Sequence, residues 1–361
     1  MTSRSPVHAA HAAVAASFSE TDGWELPQHF GDELREYQSV TGGVGALDVC
    51  QSGKLSVSGR DRVKYLQGML SNDIRKLTPG TGCHAALLSR LAHVEADVRV
   101  YSFADELLLE CPPAHTKSLL ETLRKFVVAD QVTVEDRTGS FGILSLQGPR
   151  AREAMEGTAG VPPGLESPHS HRTFQNGSGS WTVTVRDRTG WGGFDLWLPV
   201  ADAEAAWRRW IESEGIQPVG MKALEILRVE AGIPSCGAEL TDRTLPMEAG
   251  LEDAISLDKG CYRGQEIVAR IMHRGSLDRS LGGIAVDGQE VPAADAEVHA
   301  QGARIGRVTS AVRSPALGRP LALAILKRDF LHPGTPVEIL HGADRLRGEV
   351  VRLPLHGRDP R

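Results

Sequence analysis

The chain carries the run Lys259-Gly260-Cys261-Tyr262-Arg263-Gly264-Gln265-Glu266, which sets one thiol between two cations. Glycines on both sides allow the backbone to turn sharply and leave the sulfur approachable. Apolar residues then recur at helical spacing from residue 267 to residue 272, so the run is predicted to be a loop that opens into a helix. The positive end of that helix and the flanking Lys259 and Arg263 would favour a thiolate at Cys261.

Two interpretations of Cys261 compete. Most lone cysteines are small buried hydrophobic residues without a chemical role. The flanking cations favour the other interpretation, in which Cys261 is a nucleophilic or redox-active thiol that Lys259 assists, so these two are the candidate catalytic residues. The other residues of the run would shape the loop and cap the helix, and these supporting positions are Gly260, Tyr262, Arg263, Gly264, Gln265 and Glu266.

Composition limits the class of protein. A chain of 361 residues is too long for one ordinary core, so two or three structural units are expected. Its 41% hydrophobic and 24% charged residues are typical of a soluble globular protein, and the net charge of -6 argues against a nucleic-acid binder. No apolar run is long enough to span a bilayer, so no membrane partner is expected.

The five cysteines are odd in number and widely spaced, and no CxxC pair occurs. A disulfide framework and a metal site are therefore not expected, and a reducing cytoplasm is the predicted location. The N-terminal segment up to Ser17 contains no continuous apolar stretch of the signal type. His8 and His11 within it are expected to face solvent.

The secondary-structure pattern changes near residue 281. Before it, short strands mix with amphipathic helices, such as the helix predicted at residues 113–127. After it, strands separated by turn residues dominate, and those predicted are residues 283–286, 304–310, 321–326, 337–340 and 348–353. This pattern predicts an α+β protein that ends in a small antiparallel β-barrel.

KGCYRGQE, followed by Val268-Ala269-Arg270 and then Arg274-Gly275, resembles the signature of the YgfZ branch of the folate-binding YgfZ/GcvT family. The wider pattern of the family can be followed from about Trp24 to about Pro354. The resemblance implies a GcvT-like folate-binding fold of two α+β subdomains followed by a C-terminal β-barrel. It also implies tetrahydrofolate, or a one-carbon derivative of it, as the cofactor.

On this basis the chain divides into five parts. They are a flexible N-terminal lead at 1–23, the first half of the folate-binding domain at 24–156, a connection at 157–180, the second half with the KGCYRGQE run at 181–280, and the barrel at 281–361.

A carboxylate is the group expected to hold the pterin ring of a folate, because the ring edge presents paired N–H donors. Asp195 follows a glycine-rich turn in which Trp191 could supply a stacking face. Alone, Asp195 would be interpreted as a strand-edge residue. The resemblance favours binding, because GcvT-type aminomethyltransferases carry a longer RTGYTGEDGxE stretch whose final carboxylate is implied to grip the pterin.

Three further residues are candidates for the folate site. Asp97 lies in a strand pattern, where it faces either solvent or a polar cavity. In the aminomethyltransferases the matching stretch ends in two adjacent aspartates, whereas here it reads Ala96-Asp97. Arg228 and Glu230 lie in LRVEAGIP, which resembles the family's LRxEAGxP. Since residues two apart on a helix cannot share a face, one of them is expected to point to the pocket.

The leading hypothesis is a tetrahydrofolate-binding protein of the YgfZ type, which supports the assembly or repair of iron–sulfur enzymes through Cys261. Iron–sulfur client or assembly proteins would then be its partners. The second hypothesis is a folate-dependent one-carbon transferase, an aminomethyltransferase or demethylase of the GcvT kind. Ala96 and Leu224 weigh against it, because the aminomethyltransferases have an acidic and a basic residue there. The third is a non-catalytic folate-binding scaffold.

Overall fold

The structure is a computed structural model that describes residues 2–159, 165–176, 179–274, 277–342 and 344–357. Its helices are α1 (His8–Ala13), α2 (Glu33–Gly42), α3 (Arg62–Met69), α4 (Thr116–Lys125), α5 (Ala151–Ala159), α6 (Val200–Arg208), α7 (Met221–Ala231) and α8 (Gln265–Arg274).

Strands make up most of the remaining regular structure. They are β1 (Ser3–Arg4), β2 (Ser17–Thr21), β3 (Trp24–His29), β4 (Gly45–Asp48), β5 (Gly53–Ser58), β6 (Gly82–Leu88), β7 (Val94–Ser102), β8 (Glu106–Cys111), β9 (Thr133–Asp136), β10 (Phe141–Gln147), β11 (His171–Asn176), β12 (Gly179–Val185), β13 (Gly193–Pro199), β14 (Gln217–Pro218), β15 (Arg279–Val286), β16 (Glu297–Ala300), β17 (Ala303–Ser314), β18 (Arg319–Lys327), β19 (Pro336–His341) and β20 (Asp344–Val351).

The predicted α+β fold with a C-terminal β-barrel is confirmed. Strands β15, β18, β17, β16, β19 and β20 close into an antiparallel barrel in that order. Ile284, Val298 and Ile339 are among the fully buried side chains of its core. The sequence predicted five of the six strands and missed β16, whose four residues are too short for alternation to stand out.

Two larger sheets form the rest of the molecule. One has five strands in the order β6-β7-β8-β5-β9, and the other has six in the order β11-β12-β13-β10-β4-β14. The second sheet contains strands from both predicted halves of the folate-binding domain. Strands β4 and β10 come from residues 24–156, and β10 pairs with β13, which comes from residues 181–280. Strand β11 lies within the predicted connection at 157–180, of which residues 160–164 and 177–178 are outside the described residues.

Apolar side chains pack helices onto these sheets. Leu55 and Val98 on the five-stranded sheet contact a core that includes Leu66 of α3 and Leu119 of α4, and each is at most 1% exposed. Truncating one such buried leucine to alanine typically costs about 2–5 kcal/mol. Because this packing buries one face of the sheet, the polar side chains of β6 and β7 lie on the opposite face.

The N-terminal segment differs from the predicted flexible lead. Its residues form β1, α1 and β2, and Val7 and Ala10 belong to the core under the six-stranded sheet. His11 does not face solvent: it is fully buried, and its Nε2 lies 2.9 Å from Asp48 Oδ2. The carboxylate of Asp48 supplies the buried partner that a sequence pattern could not reveal.

None of the helices within the described ranges is both long and apolar enough to cross a membrane.

Candidate functional site

A cavity of about 580 Å³ lies where β6 and β7 meet the end of α7 and the barrel. Its size is within the range of small-molecule sites in proteins. Polar and apolar side chains both line it. Its lining includes Cys83, His84, Asp97, Arg99, His169, Arg186, Asp187, Leu251, Asp253, Leu281 and Leu353.

A chain of four charged or polar side chains crosses one wall of the cavity. His84 Nε2 lies 2.5 Å from Asp97 Oδ1, and His84 Nδ1 lies 3.0 Å from Asp253 Oδ2. On the other side, Arg99 Nη1 donates to Asp97 Oδ2 at 2.7 Å. An imidazolium at His84 would donate to both carboxylates at once, whereas a neutral ring would donate to one.

The strand register brings these side chains together. His84 lies opposite Arg99 across β6 and β7, and Asp97 lies opposite Ala86. Residues two apart on a strand share a face, so Asp97 and Arg99 point to the same side as His84. Burial alone would raise the pKa of Asp97, but the charges of Arg99 and His84 hold it well below its usual range. Asp97 is therefore an ionised carboxylate at neutral pH.

A second ionic cluster lies beside the cavity. Arg188 holds Asp195 with two hydrogen bonds, of 3.1 Å from Nε and 2.6 Å from Nη2, and its Nη2 also donates to Glu110 Oε1 at 2.5 Å. Burial would raise the pKa of Glu110, but Arg188 and Arg186 lower it to about 2. The cluster thus consists of buried ion pairs.

The structure places Asp195 in this cluster and not in the cavity. Its side chain is fully buried, and both carboxylate oxygens accept from Arg188. The loop before Asp195 is also shorter than the matching stretch of the aminomethyltransferase pattern. Trp191 is also outside the cavity lining, and its ring packs 4.8 Å from the ring of His356. Contact of Asp195 or Trp191 with a pterin stays a prediction.

Arg228 and Glu230 both join α7 to other elements. One of them was expected to point to the pocket, but neither is among the residues that line this cavity. Arg228 pairs with Glu225 and Glu239 and donates to Ser310 Oγ in the barrel. It also donates to the carbonyl of Ile233, which lines the cavity.

Glu230 accepts from the hydroxyls of Tyr37 and Ser314, at 2.7 Å and 2.5 Å. Tyr37 belongs to α2 and Ser314 to the barrel strand β17. Glu230 therefore fixes the position of the barrel against the rest of the molecule.

The residues of the KGCYRGQE loop are not part of the cavity lining, but Lys259 donates to the carbonyl of Asn72, which is. Cys261 is exposed, and α8 begins four residues later at Gln265, whose Oε1 accepts from the amide of Tyr262 at 3.2 Å. Tyr262 is buried, Gly260 is exposed, and Glu266 is exposed in the first turn of α8. Gly264 has a φ of +86°, a backbone conformation that glycine adopts without strain.

The two cations of the loop are committed to other partners. Lys259 Nζ donates to the carbonyls of Leu70 and Asn72, at 2.5 Å and 2.6 Å, and only 6% of the residue is exposed. Arg263 forms a two-pronged ion pair with Glu95. Glu95 therefore offsets the charge of Arg263, whereas the carbonyls that hold Lys259 are neutral and leave its charge in place. Activation of Cys261 by these two cations stays a prediction.

Several cavity residues were missed from the sequence. His84, Arg99, His169, Arg186 and Asp253 come from five separate stretches, and the fold brings them together. One signal was available, since Arg99 is two residues from Asp97 on a strand that otherwise buries apolar side chains. Within the described ranges, no group of three or more His, Cys, Asp or Glu residues is placed to hold a metal ion.

Comparison with known families accounts for nearly the whole chain. Residues 7–259 match the GCVT N-terminal domain, and residues 279–356 match the glycine cleavage T-protein C-terminal barrel domain. The second match begins at Arg279, the first residue of barrel strand β15, and residues 260–278, which include Cys261, lie in neither match.

Individual relatives agree with the family match. An aminomethyltransferase of Shouchella clausii is 31% identical over 98% of both chains. One of a Geobacillus species is 30% identical over 99% of this chain and 100% of its own. The solved glycine cleavage system aminomethyltransferase T of Bartonella henselae has the same fold, with a TM-score of 0.90 over 99% of both chains and 24% identity.

Proposed function

This chain belongs to the glycine cleavage T-protein (GcvT) family, and we propose that it is a tetrahydrofolate-dependent aminomethyltransferase that works in the 580 Å³ cavity. Tetrahydrofolate is the cofactor. In the proposed reaction an aminomethyl group, carried on a lipoyl sulfur, gives its methylene carbon to N5 and N10 of tetrahydrofolate. The carbon–sulfur and carbon–nitrogen bonds of the donor break, and ammonia and the free thiol leave.

The observation that carries this proposal is the ionised Asp97 in the cavity wall, held between His84 and Arg99. A carboxylate there can accept from the N–H groups of a reduced pterin. Apolar walls for the ring are supplied by Leu251, Leu281 and Leu353. The cavity thus offers the combination of one carboxylate and apolar faces that a folate site requires.

Asp97 would also stabilise the reacting atoms. Positive charge develops on the methylene carbon as it leaves the sulfur, and a fixed carboxylate nearby lowers the free energy of that state. His84 contacts Asp97 and Asp253 through its two ring nitrogens and fixes the position of the Asp97 carboxylate. Arg99 keeps Asp97 ionised and oriented.

The remaining candidates act as supports in this proposal. Asp195 and Arg188 brace the wall behind the cavity, and Arg228 fixes the loop that contains Ile233. Glu230 holds the barrel, which contributes Leu281. They would position the ligand-contacting residues without touching the folate.

A second candidate function rests on a different observation. The exposed Cys261 lies in a surface loop whose sequence resembles the YgfZ signature, and the chain has Ala96 where the aminomethyltransferases have an aspartate. We propose as the alternative that Cys261 supports the assembly or repair of iron–sulfur enzymes, with folate bound in the cavity. Its test is Cys261→Ser, which should lower iron–sulfur enzyme activity in cells while folate affinity is retained.

The test of the first candidate is direct. Purified protein is incubated with tetrahydrofolate and a lipoyl-bound aminomethyl donor, and methylene-tetrahydrofolate is measured. We expect product only when protein, donor and tetrahydrofolate are all present. Tight folate binding without any product would contradict the transferase proposal and leave the iron–sulfur alternative or a non-catalytic scaffold.

A further inference from the structure

Two arginines in the cavity wall have buried donor atoms that no acceptor among the described residues satisfies. Arg99 and Arg186 both line the cavity, and 9% of Arg99 is exposed. The Nε atoms of both are buried and have no hydrogen-bond partner within the part of the chain that the structure describes. A buried guanidinium without a full set of acceptors carries a free-energy cost, which a bound anion would remove.

The carboxylates near these arginines each accept hydrogen bonds from protein side chains. Asp97 accepts from Arg99 and His84, and both oxygens of Asp195 accept from Arg188. Glu110 accepts from Arg188, and its Oε2 is 4.0 Å from Arg186 Nε, beyond hydrogen-bond distance.

The neighbour of Arg186 does not neutralise it either. Asp187 Oδ1 accepts from the amides of Thr189 and Gly190, and Arg186 Nη1 donates to the Asp187 carbonyl at 3.0 Å. Burial and repulsion from Arg99 and Arg188 lower the pKa of Arg186. Among the described residues, no carboxylate accepts a hydrogen bond from Arg186, and Glu110 is the acidic group 4.0 Å from it.

We propose that Arg186 and Arg99 form a carboxylate-binding subsite inside the cavity, beside Asp97. This inference rests on the proposed function, and it specifies that a ligand of the cavity presents a carboxylate. A guanidinium pairs well with a carboxylate, through two parallel hydrogen bonds. A single negative charge is favoured over a phosphate dianion, because Asp97 and Glu110 lie close by and would repel the second charge.

His169 completes the subsite as a neutral group. It lines the same cavity, and burial together with the charges of Arg99 and Arg186 lowers its pKa well below the usual range. Its buried Nδ1 has no hydrogen-bond partner among the described residues. A neutral imidazole can donate one further hydrogen bond to the carboxylate without adding charge.

Two ligands could bring this carboxylate: the glutamate tail of the folate itself, or a separate small carboxylate bound beside the pterin. Calorimetric titrations of the full chain distinguish them. The probes are 5-formyltetrahydrofolate, 6-methyltetrahydropterin, which has the ring and no carboxylate, and acetate added to protein saturated with the tetrahydropterin. The variants are Arg186→Gln and the matched surface control Arg172→Gln, since Arg172 is exposed.

If the folate tail occupies the subsite, R186Q lowers the affinity for 5-formyltetrahydrofolate by at least about tenfold and leaves the affinity for the tetrahydropterin unchanged. If a separate carboxylate occupies the subsite, R186Q leaves the affinities for 5-formyltetrahydrofolate and the tetrahydropterin unchanged and abolishes acetate binding. The proposal is overturned if R186Q binds all three probes within about twofold of wild type, if it loses the tetrahydropterin as well, or if inorganic phosphate outcompetes acetate.

Thermal melting provides an independent check of the same proposal. Because Arg186 also stabilises the ionised Glu110, R186Q is expected to melt below wild type without ligand. The readout is therefore the rise in melting temperature on adding a saturating carboxylate ligand, which should be smaller in R186Q than in wild type, and an undiminished rise would contradict the subsite. Because no measurement here needs turnover, failure of the transferase assay would not be confused with failure of this proposal.

Discussion

His84 bridges two carboxylates, with its Nε2 2.5 Å from Asp97 and its Nδ1 3.0 Å from Asp253. This bridge connects β7 to the 3-10 turn Glu252–Ala254 across the mouth of the cavity. Together with Arg99 it keeps Asp97 ionised, which is the state that the proposed reaction requires.

The pH dependence of stability should report the charge of Asp97. Its pKa is lower in the folded protein than the value of about 3.9 in an unfolded chain, so the folded state binds the proton less tightly. The stabilisation is therefore present above about pH 4 and is lost as the pH falls further. Asp97→Asn should cost on the order of 3 kcal/mol at pH 7, measured by urea unfolding.

The free-energy difference between wild type and Asp97→Asn should shrink when the same titration is repeated towards pH 3. A difference that stays constant over this range would show that Asp97 is not held ionised by Arg99 and His84.

Gly264 should be intolerant of any side chain. A Cβ there would lie 2.6 Å from the carbonyl oxygen of Ser89, and the φ of +86° adds strain for alanine. Gly264→Ala is expected to lower the free energy of unfolding by at least about 2 kcal/mol. Gly260→Ala is the matched control in the same loop, because a Cβ at Gly260 meets no atom within 4 Å. Equal stabilities of the two variants would refute this account of the loop.

Thiol labelling should single out Cys261. It is exposed, whereas burial raises the pKa of Cys83 and of Cys111 to about 12 and raises those of Cys50 and Cys236 as well. Since the thiolate is the reactive form, Ellman's reagent should modify one thiol rapidly at pH 7.5 in the native protein.

The rapid phase of this labelling should disappear in Cys261→Ser and persist in Cys83→Ser. Two or more rapid thiols in the native wild type would show that a second cysteine is accessible.

Lys259 should make stability rise in alkaline solution. Burial lowers its pKa to about 8, compared with about 10.4 in an unfolded chain, so the unfolded state binds this proton more tightly. Between about pH 8 and pH 10 the wild type should therefore gain stability relative to Lys259→Met. The control is Lys117→Met, at a side chain that is 87% exposed, and its stability should run parallel to wild type. Parallel curves for Lys259→Met would contradict the burial of a charged amine.

The sequence was informative about local patterns and poor at long-range pairing. Alternation predicted five barrel strands, because each is bounded by turn residues and has one buried face. The insertion of β4 between β10 and β14 could not be predicted, since Ala46 pairs with Leu146 a hundred residues away.

For the site, the sequence identified Asp97 but not its partners. Whether an acidic strand residue faces solvent or a cavity depends on what packs over it, and Asp253 and Arg186 come from distant segments. The charged neighbours of Cys261 also have partners that the sequence did not reveal. Lys259 and Arg263 flank it along the chain, yet each binds oxygen atoms of another segment.

The most direct test of the proposed function compares the cavity with the surface loop in one assay. Methylene-tetrahydrofolate formation from a lipoyl-bound aminomethyl donor is measured for wild type, Asp97→Asn and Cys261→Ser. We predict that Asp97→Asn lowers kcat by at least about a hundredfold, because a charge facing the reacting atoms is removed, whereas Cys261→Ser stays within about twofold of wild type. Activity that survives in Asp97→Asn and is lost in Cys261→Ser would contradict catalysis in the cavity.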